Sequence, residues 1–155
     1  MYEPTTGEQL SEWLDGKVTI LTYGQLAQYD DIDQVLGRYN TVIILYETKR
    51  NIGHWCTLFK EKNTIYFFDP YGMKIDDELK FIDLYYRKVL NQNVSHLSAL
   101  LYYSNKKYHI DYNNYKLQSS RDPLISTCGR WCILRLYLRK LNSDEFHHLI
   151  QTLRK

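Results

Sequence analysis

The 155-residue chain has few cysteines and no long apolar run, and both shortages narrow its class. Its three cysteines are an odd number with no secretory signal before them, so a disulfide framework is not expected. No apolar stretch reaches the length that a membrane span requires. We therefore expect a soluble protein of a reducing compartment.

The charge of the chain does not by itself point to a polyanionic partner, because the formal net charge is only +2. The distribution is uneven, since residues 1–36 carry seven acidic side chains and one lysine, and bases predominate in the remainder. The basic part permits a face for nucleic acid, although solvated helix surfaces explain the same charges.

Length and hydrophobic periodicity predict a single α+β domain over residues 1–155, with one sheet packed on one side by a helix that begins at Cys128. Residues 41–46 form an uninterrupted apolar and β-branched run, typical of a strand buried on both faces. The predicted helices cover 7–15, 23–29, 32–36, 76–92, a segment from 128, and 144–153; the predicted strands cover 41–46, 53–59, 64–69, 97–103 and 107–113.

Cys128 stands at the start of a predicted helix, with Thr127 in the N-cap position. Unpaired backbone N–H groups and the positive end of the helix dipole lower the pKa of a thiol at such a place. This position favours a nucleophilic thiolate.

A cysteine nucleophile requires a base, and the base requires a partner that orients it. His54 stands at the entrance of the predicted strand 53–59, and Asp69 ends the next strand, fifteen residues later. If these strands pair as antiparallel neighbours around the turn at 60–63, His54 and Asp69 face each other within about one residue of register. A carboxylate there is able to hold the imidazole by one nitrogen.

Acyl transfer also requires hydrogen-bond donors for the oxyanion of the transition state. The backbone N–H of Cys128, at the helix start, is one candidate. Gln118, in the loop before the helix, is the predicted side-chain donor, with Asn113 and Asn114 as competitors.

Three ordered motifs carry a resemblance to a known family. They are Gly-His-Trp at 53–55, Phe-Phe-Asp-Pro-Tyr-Gly at 67–72, and Gln118 ahead of Thr-Cys-Gly-Arg-Trp at 127–131. Together they resemble the adenovirus maturation protease (adenain) and the SUMO-protease-like cysteine peptidases, closest in pattern to the small proteases of virophages, Polinton elements and large DNA viruses. The resemblance spans residues 41–138 and implies a papain-like permuted fold, with a central mixed sheet packed against the Cys128 helix.

The resemblance also implies a role for each site residue. His54 is the general base, Asp69 orients it, Cys128 attacks the carbonyl, and Gln118 forms the oxyanion hole with the Cys128 backbone N–H. Substrate contacts fall to Gly129 and to Trp55, whose indole lines a narrow channel where any side chain larger than that of glycine would collide. The gap of ten positions between Gln118 and Cys128 is longer than is common in the SUMO-protease branch.

The function implied by the resemblance is that of a monomeric thiol endopeptidase, without cofactor or metal, that cleaves after glycine at Gly-Gly-like or Gly-X-Gly sites. The expected substrate is a capsid precursor, which places the enzyme in the virion and in the cytoplasm or nucleus of the host cell. A ubiquitin-like or SUMO-like conjugate is the alternative substrate, and the enzyme is then a deubiquitinase-like protease. DNA is a candidate activator, because adenain-like enzymes use it and residues 106–121 are basic.

Two other interpretations are weaker. Cys56, Cys128, Cys132 and His54 are a candidate zinc set, but they lack the tight knuckle spacing of common structural sites. A non-catalytic module that binds a glycine-rich tail or nucleic acid is disfavoured, because no catalytic motif is missing. Cys132, one helical turn below Cys128, is predicted to be an inward-facing small hydrophobe rather than a redox-active thiol.

Overall fold

The computed structural model describes residues 5–104, 106–117 and 127–154, which form a mixed α+β structure around a five-stranded sheet. The strands are β1 (Thr19–Thr22), β2 (Thr41–Lys49), β3 (Ile52–Glu61), β4 (Thr64–Phe68) and β5 (His109–Tyr112), and they lie in this order across the sheet. The pairs β2/β3 and β3/β4 are antiparallel, whereas β1 and β5 pair in parallel at the two edges. The predicted α+β class with a mixed sheet is confirmed.

Helices cover both faces of the sheet. They are α1 (Gly7–Trp13), a 3₁₀ helix (Tyr23–Gln28), α2 (Ile32–Leu36), a second 3₁₀ helix (Asp77–Phe81), α3 (Leu84–Val89), α4 (His96–Ser104), α5 (Cys128–Tyr137) and α6 (Ser143–Leu153). Among the described residues, no helix has the length and apolar character of a membrane span.

The strand β2 shows why its sequence is apolar without interruption. Val42 and Ile44 join one buried cluster, which includes residues of α2 and α4. Ile43 and Leu45 join the cluster on the opposite face, which includes residues of α1, α5 and α6. Both faces of β2 are therefore covered, as the sequence predicts.

The prediction of a strand over 97–103 is wrong, because this segment belongs to the helix α4. Its buried side chains are Leu97, Leu100, Leu101 and Ser104. These positions follow the i, i+3, i+4, i+7 spacing of a helical face. The apolar run is short, and such runs do not distinguish a strand from a buried helix by periodicity alone.

The single helix predicted over 76–92 is also wrong, since the chain there forms a 3₁₀ helix and then α3. Asp76 has a left-handed backbone with φ of 68°. Its carboxylate accepts hydrogen bonds from Tyr46 Oη at 2.9 Å and from Ser98 N at 2.8 Å. Asp76 therefore ties β2 to α4 instead of starting a helix, and Asp83 caps α3 through Tyr85 N.

A buried arginine anchors the end of α5 opposite Cys128. Arg135 donates to Leu138 O at 3.1 Å and to Leu141 O at 2.9 Å. Its guanidinium lies 4.8 Å from the ring centroid of Phe59 and 5.0 Å from that of Phe146. The cation is stabilised by aromatic faces and carbonyl oxygens, so it fixes the position of α5 over β3 and β4.

We expect Arg135→Ala to lower the free energy of unfolding by about 3 kcal/mol, because the change leaves two carbonyl groups without their donor and empties the space among the aromatic rings. Denaturant unfolding measures this loss. Arg50→Ala, at an exposed position in the turn between β2 and β3, is the matched control and should change stability by less than about 0.5 kcal/mol. Equal stability of the two variants would contradict the anchoring role.

Candidate active site

His54 and Asp69 form a buried hydrogen bond at one end of the sheet. His54 Nε2 lies 2.5 Å from Asp69 Oδ1, and the side chains are 2% and 1% exposed. Thr57 pairs with Phe68, so Asp69, one residue beyond β4, falls opposite Cys56. His54 is therefore two residues out of register with Asp69, rather than about one as expected. Residues two apart on a strand share a face, so the side chains still meet.

The turn after β4 wraps around the Asp69 carboxylate. Asp69 Oδ1 accepts a second hydrogen bond from Tyr71 N at 2.8 Å, and Gly72 N donates to Asp69 O at 2.8 Å. Gly72 has a φ of 73°, and a Cβ there would lie 2.6 Å from Tyr115 O. Glycine is thus required at this position, and the turn holds the carboxylate towards His54.

Tyr71 stacks on His54, with ring centroids 3.7 Å apart and planes inclined by 8°. This contact fixes the plane of the imidazole and stabilises its protonated form. Burial raises the pKa of the Tyr71 hydroxyl, so the phenol stays neutral at this site. Tyr71 is a site residue that was not predicted from the sequence, and its aromatic side chain two positions after Asp69 is the one sequence signal of this role.

Cys128 lies at the first residue of α5 and is 1% exposed. Its Sγ accepts a hydrogen bond from Trp55 N at 3.4 Å. A backbone donor of β3 and the N-terminus of the helix therefore both favour a thiolate at this position. Thr127 occupies the N-cap position as predicted, but its side chain makes no capping hydrogen bond.

The three side chains are electrostatically connected through His54. Burial by itself lowers the pKa of His54, but hydrogen bonds with Asp69 and Cys128 outweigh burial and raise the pKa to about 10. Because Nε2 is occupied by Asp69, Nδ1 is the ring nitrogen left for the thiol. Nδ1 is buried and has no hydrogen bond of ordinary geometry within the described residues.

Trp55 connects the thiol to a groove on the adjacent surface. The groove has a volume of about 800 Å³ and lies between the start of α1, the strand β1 and the start of β3. The indole lines this groove and its Nε1 donates to Thr5 O at 2.9 Å, while the backbone N–H of the same residue contacts Cys128. The predicted role of Trp55 in substrate selection stays a prediction.

Gly129 is buried against the chain's own amino-terminal segment. A Cβ at this position would lie 3.0 Å from Cβ of Thr5 and 3.3 Å from Cδ2 of Leu10. The structure therefore gives Gly129 a packing role that brings α1 close to α5. Its predicted contact with substrate stays a prediction.

The predicted oxyanion donor Gln118 lies outside the described residues. Of its two competitors, Asn114 is exposed and Asn113 is buried. The Asn113 carboxamide is bonded to the backbone of Asp69 and to Tyr115 O. Asn113 is thus committed to another interaction, which weakens it as an oxyanion donor.

Three buried side chains at the site are of types that bind metals, and two of them are the hydrogen-bonded His54–Asp69 dyad. The nitrogen of His54, Sγ of Cys56 and an oxygen of Asp69 all lie within 4.8 Å of one another, the one such group in the part of the chain that the structure describes. Burial raises the pKa of Cys56 and keeps it a thiol, which is a poor metal ligand. Since His54 and Asp69 also bond to each other, the geometry favours a hydrogen-bonded dyad over a metal centre. The alternative zinc set with Cys128 and Cys132 is not assembled in this group.

Cys132 lies one turn below the nucleophile and is fully buried. Its Sγ lies 3.5 Å from Trp55 O, and burial raises its pKa. The prediction of an inward-facing small side chain is confirmed.

Comparison with known proteins identifies a relative of this chain. No protein-family model matches it. The chain is 48% identical over 137 residues to a protein of the Sputnik virophage named "Uncharacterized protein V9", and the match covers 87% of this chain and 76% of the relative. Identity of this extent over most of both chains shows common descent and a viral origin for the relative. The chain belongs to the same protein family as the virophage protein V9.

Proposed function

We propose that this protein is a cysteine endopeptidase in which Cys128 is the nucleophile, His54 the general base and Asp69 the residue that orients it. The observation that carries this proposal is the convergence of three side chains from β3, the end of β4 and the start of α5 at one buried site. They are separated by fifteen and fifty-nine positions in the sequence, so only the fold brings them together. Such an arrangement fits acyl transfer by a thiolate and imidazolium pair.

Acylation begins when the Cys128 thiolate attacks the carbonyl carbon of the scissile bond. A C–S bond forms, and the carbonyl oxygen becomes an oxyanion that hydrogen-bond donors stabilise. His54 then donates its proton to the amide nitrogen as the C–N bond breaks. The products are a free amine, an S-acyl Cys128 and a neutral imidazole held by Asp69.

Deacylation reverses the role of His54. The neutral imidazole removes a proton from water, and the resulting nucleophile attacks the thioester carbon. The C–S bond breaks, the acid product leaves, and the thiolate and imidazolium are restored. The hydrogen bond from Trp55 N to Cys128 Sγ stabilises the thiolate both as nucleophile and as leaving group.

The sequence motifs support an adenain-like and SUMO-protease-like identity with a papain-like permuted site. In this proposal Gln118 and the Cys128 backbone N–H bind the oxyanion, and Trp55 restricts the residues before the scissile bond to glycine. Membership in a virophage protein family favours a viral substrate, so we propose a capsid precursor with a Gly-Gly-like or Gly-X-Gly site. A ubiquitin-like conjugate is the competing substrate. Activation by DNA stays a prediction.

The nucleophile assignment predicts that Cys128→Ala loses at least about 1,000-fold in kcat/KM on any glycine-ended substrate that the wild type cleaves, because the covalent step is removed. The substrates are a capsid precursor from the same virus and fluorogenic ubiquitin and SUMO derivatives. Cys132→Ala is the matched control, because it removes a thiol from the same helix without touching the dyad. We expect its kcat/KM to fall less than about tenfold.

The outcome on these substrates also separates the proposed functions. Cleavage of the precursor alone supports capsid maturation, and cleavage of ubiquitin or SUMO derivatives alone supports the competing substrate class. A wild type that cleaves none of them would contradict the protease assignment, and an active Cys128→Ala would contradict the nucleophile.

The pH profile tests the pairing of His54 with Asp69 and Cys128. Activity should rise on the acid side as the thiolate forms and fall on the alkaline side as the imidazolium loses its proton. Because the pKa of His54 is raised to about 10, the alkaline limb should lie near that pH and not near the ordinary histidine value. In Asp69→Asn the alkaline limb should move to lower pH, because the carboxylate that raises the pKa of His54 is gone. A limb that is unchanged in this variant would show that Asp69 does not act on His54.

A further inference from the structure

The backbone of Asp69 lies where the sheet stops. β4 ends at Phe68 and its parallel neighbour β5 ends at Tyr112, with Phe67 paired to Tyr112 as the last rung. The residue after Asp69 is Pro70, which has no backbone N–H to continue a ladder. The peptide groups around Asp69 therefore require partners other than a strand.

Asn113 supplies those partners with its side chain. Its Oδ1 accepts a hydrogen bond from Asp69 N at 2.8 Å, and its Nδ2 donates to Asp69 O at 2.6 Å. The second Nδ2 proton goes to Tyr115 O at 3.1 Å, and Asn113 N donates to Phe67 O at 3.3 Å. The carboxamide thus takes the place of a peptide unit and adds one more rung to the sheet.

This arrangement is chemically specific to a carboxamide of this length. A carboxamide offers one acceptor and two donor protons in a single plane, and all three directions are used here. Aspartate would lose both donors, and leucine would lose every bond. Asn113 is 1% exposed, so water cannot readily replace the lost bonds.

We call these hydrogen bonds from Asn113 to the backbone of Asp69 the Asn113 clamp. The clamp holds the backbone of Asp69, while the carboxylate of Asp69 bonds to His54. Fixing the amide and carbonyl of Asp69 fixes the direction in which its side chain leaves the chain. The carboxylate then reaches His54 Nε2 and Tyr71 N together. A rotation of the Asp69 backbone would carry the carboxylate away from His54 Nε2.

Asn113 also begins a segment that packs against the turn after β4. Its partner Tyr115 presents its carbonyl to Gly72, and Leu117 N donates to Pro70 O at 2.9 Å. The segment 113–117 therefore runs along the turn that holds Asp69, and it leads directly to Gln118. One carboxamide thus connects the acid of the triad with the segment that leads in sequence towards Gln118.

We propose that Asn113 is a positioning residue of the catalytic triad, which clamps the backbone of Asp69 and thereby keeps its carboxylate on His54. This inference rests on the proposed protease function. The side-chain hydrogen bonds of Asn113 go to the backbone of Asp69 and to Tyr115 O and not to the imidazole, so its effect on His54 passes through Asp69.

The test compares Asn113→Ala with Asn93→Ala, an exposed residue of the same type that has no place in the site. We expect Asn113→Ala to lower kcat about 10- to 100-fold with little change in KM, because the misplaced carboxylate no longer orients the base. Its alkaline limb in the pH profile should move to lower pH. Asn93→Ala should match the wild type in kcat and in the limb.

A second measurement does not depend on turnover. The titration of the His54 ring protons is followed by NMR, with assignment through His54→Gln. The titration midpoint should fall in Asn113→Ala but not in Asn93→Ala. If the wild type cleaves no substrate and the midpoint still falls, the protease function is contradicted and the clamp is supported. If the wild type is active and Asn113→Ala keeps its kcat and midpoint, the clamp is contradicted.

A third variant covers the case in which Asn113→Ala does not fold. Asn113→Ser keeps one polar group, a hydroxyl that is too short to span Asp69 N and Asp69 O together and that cannot donate to two carbonyls. We expect a smaller loss of kcat and a smaller shift of the limb in this variant. A folded Asn113→Ser with wild-type kcat and limb would overturn the proposal, since a merely structural residue would lower the melting temperature alone.

Discussion

The hydrogen bond between His54 and Asp69 is the interaction on which the site depends. It is buried and 2.5 Å long, and it joins the start of β3 to the end of β4. The antiparallel register of these strands brings the two side chains to one face. Burial disfavours a charged imidazole, so the pair is stable only because Asp69 and Cys128 supply compensating interactions. The same conditions make His54 a strong partner for a thiolate.

The position of Cys128 is fixed by packing at some distance from the dyad. Gly129 lets Thr5 and α1 approach α5 closely, and Arg135 anchors the other end of that helix among aromatic rings. Trp55 then contributes its backbone to the thiol and its indole to the groove. Elements on one face of the sheet, together with the start of β3 and the end of β4, thus hold Cys128, His54 and the groove in place. This arrangement gives a physical basis for a glycine-selective thiol protease, which remains the proposal to be tested.

Local patterns in the sequence were sufficient to predict the strands that position His54 and Asp69. The apolar run of β2, the turn after Glu61 and the fifteen-residue interval between His54 and Asp69 are short-range features that the pairing of adjacent strands preserves. The segment 97–103 was assigned wrongly, because a short apolar run fits a helix and a strand equally well. The stack of Tyr71 and the clamp of Asn113 are contacts across the fold, and spacing alone does not specify them. Gln118 stays a prediction from motif order.

The proposed ion pair of Cys128 and His54 is tested most directly by alkylation, which requires no substrate. The rate at which iodoacetamide modifies each cysteine is measured across pH by peptide mass spectrometry, in the wild type and in His54→Ala. We predict that Cys128 of the wild type reacts faster than Cys56 and Cys132 even about two pH units below the ordinary thiol pKa of about 8.5. In His54→Ala this reactivity of Cys128 should be lost. Alkylation of Cys128 that follows an ordinary thiol titration, unchanged in His54→Ala, would contradict the account.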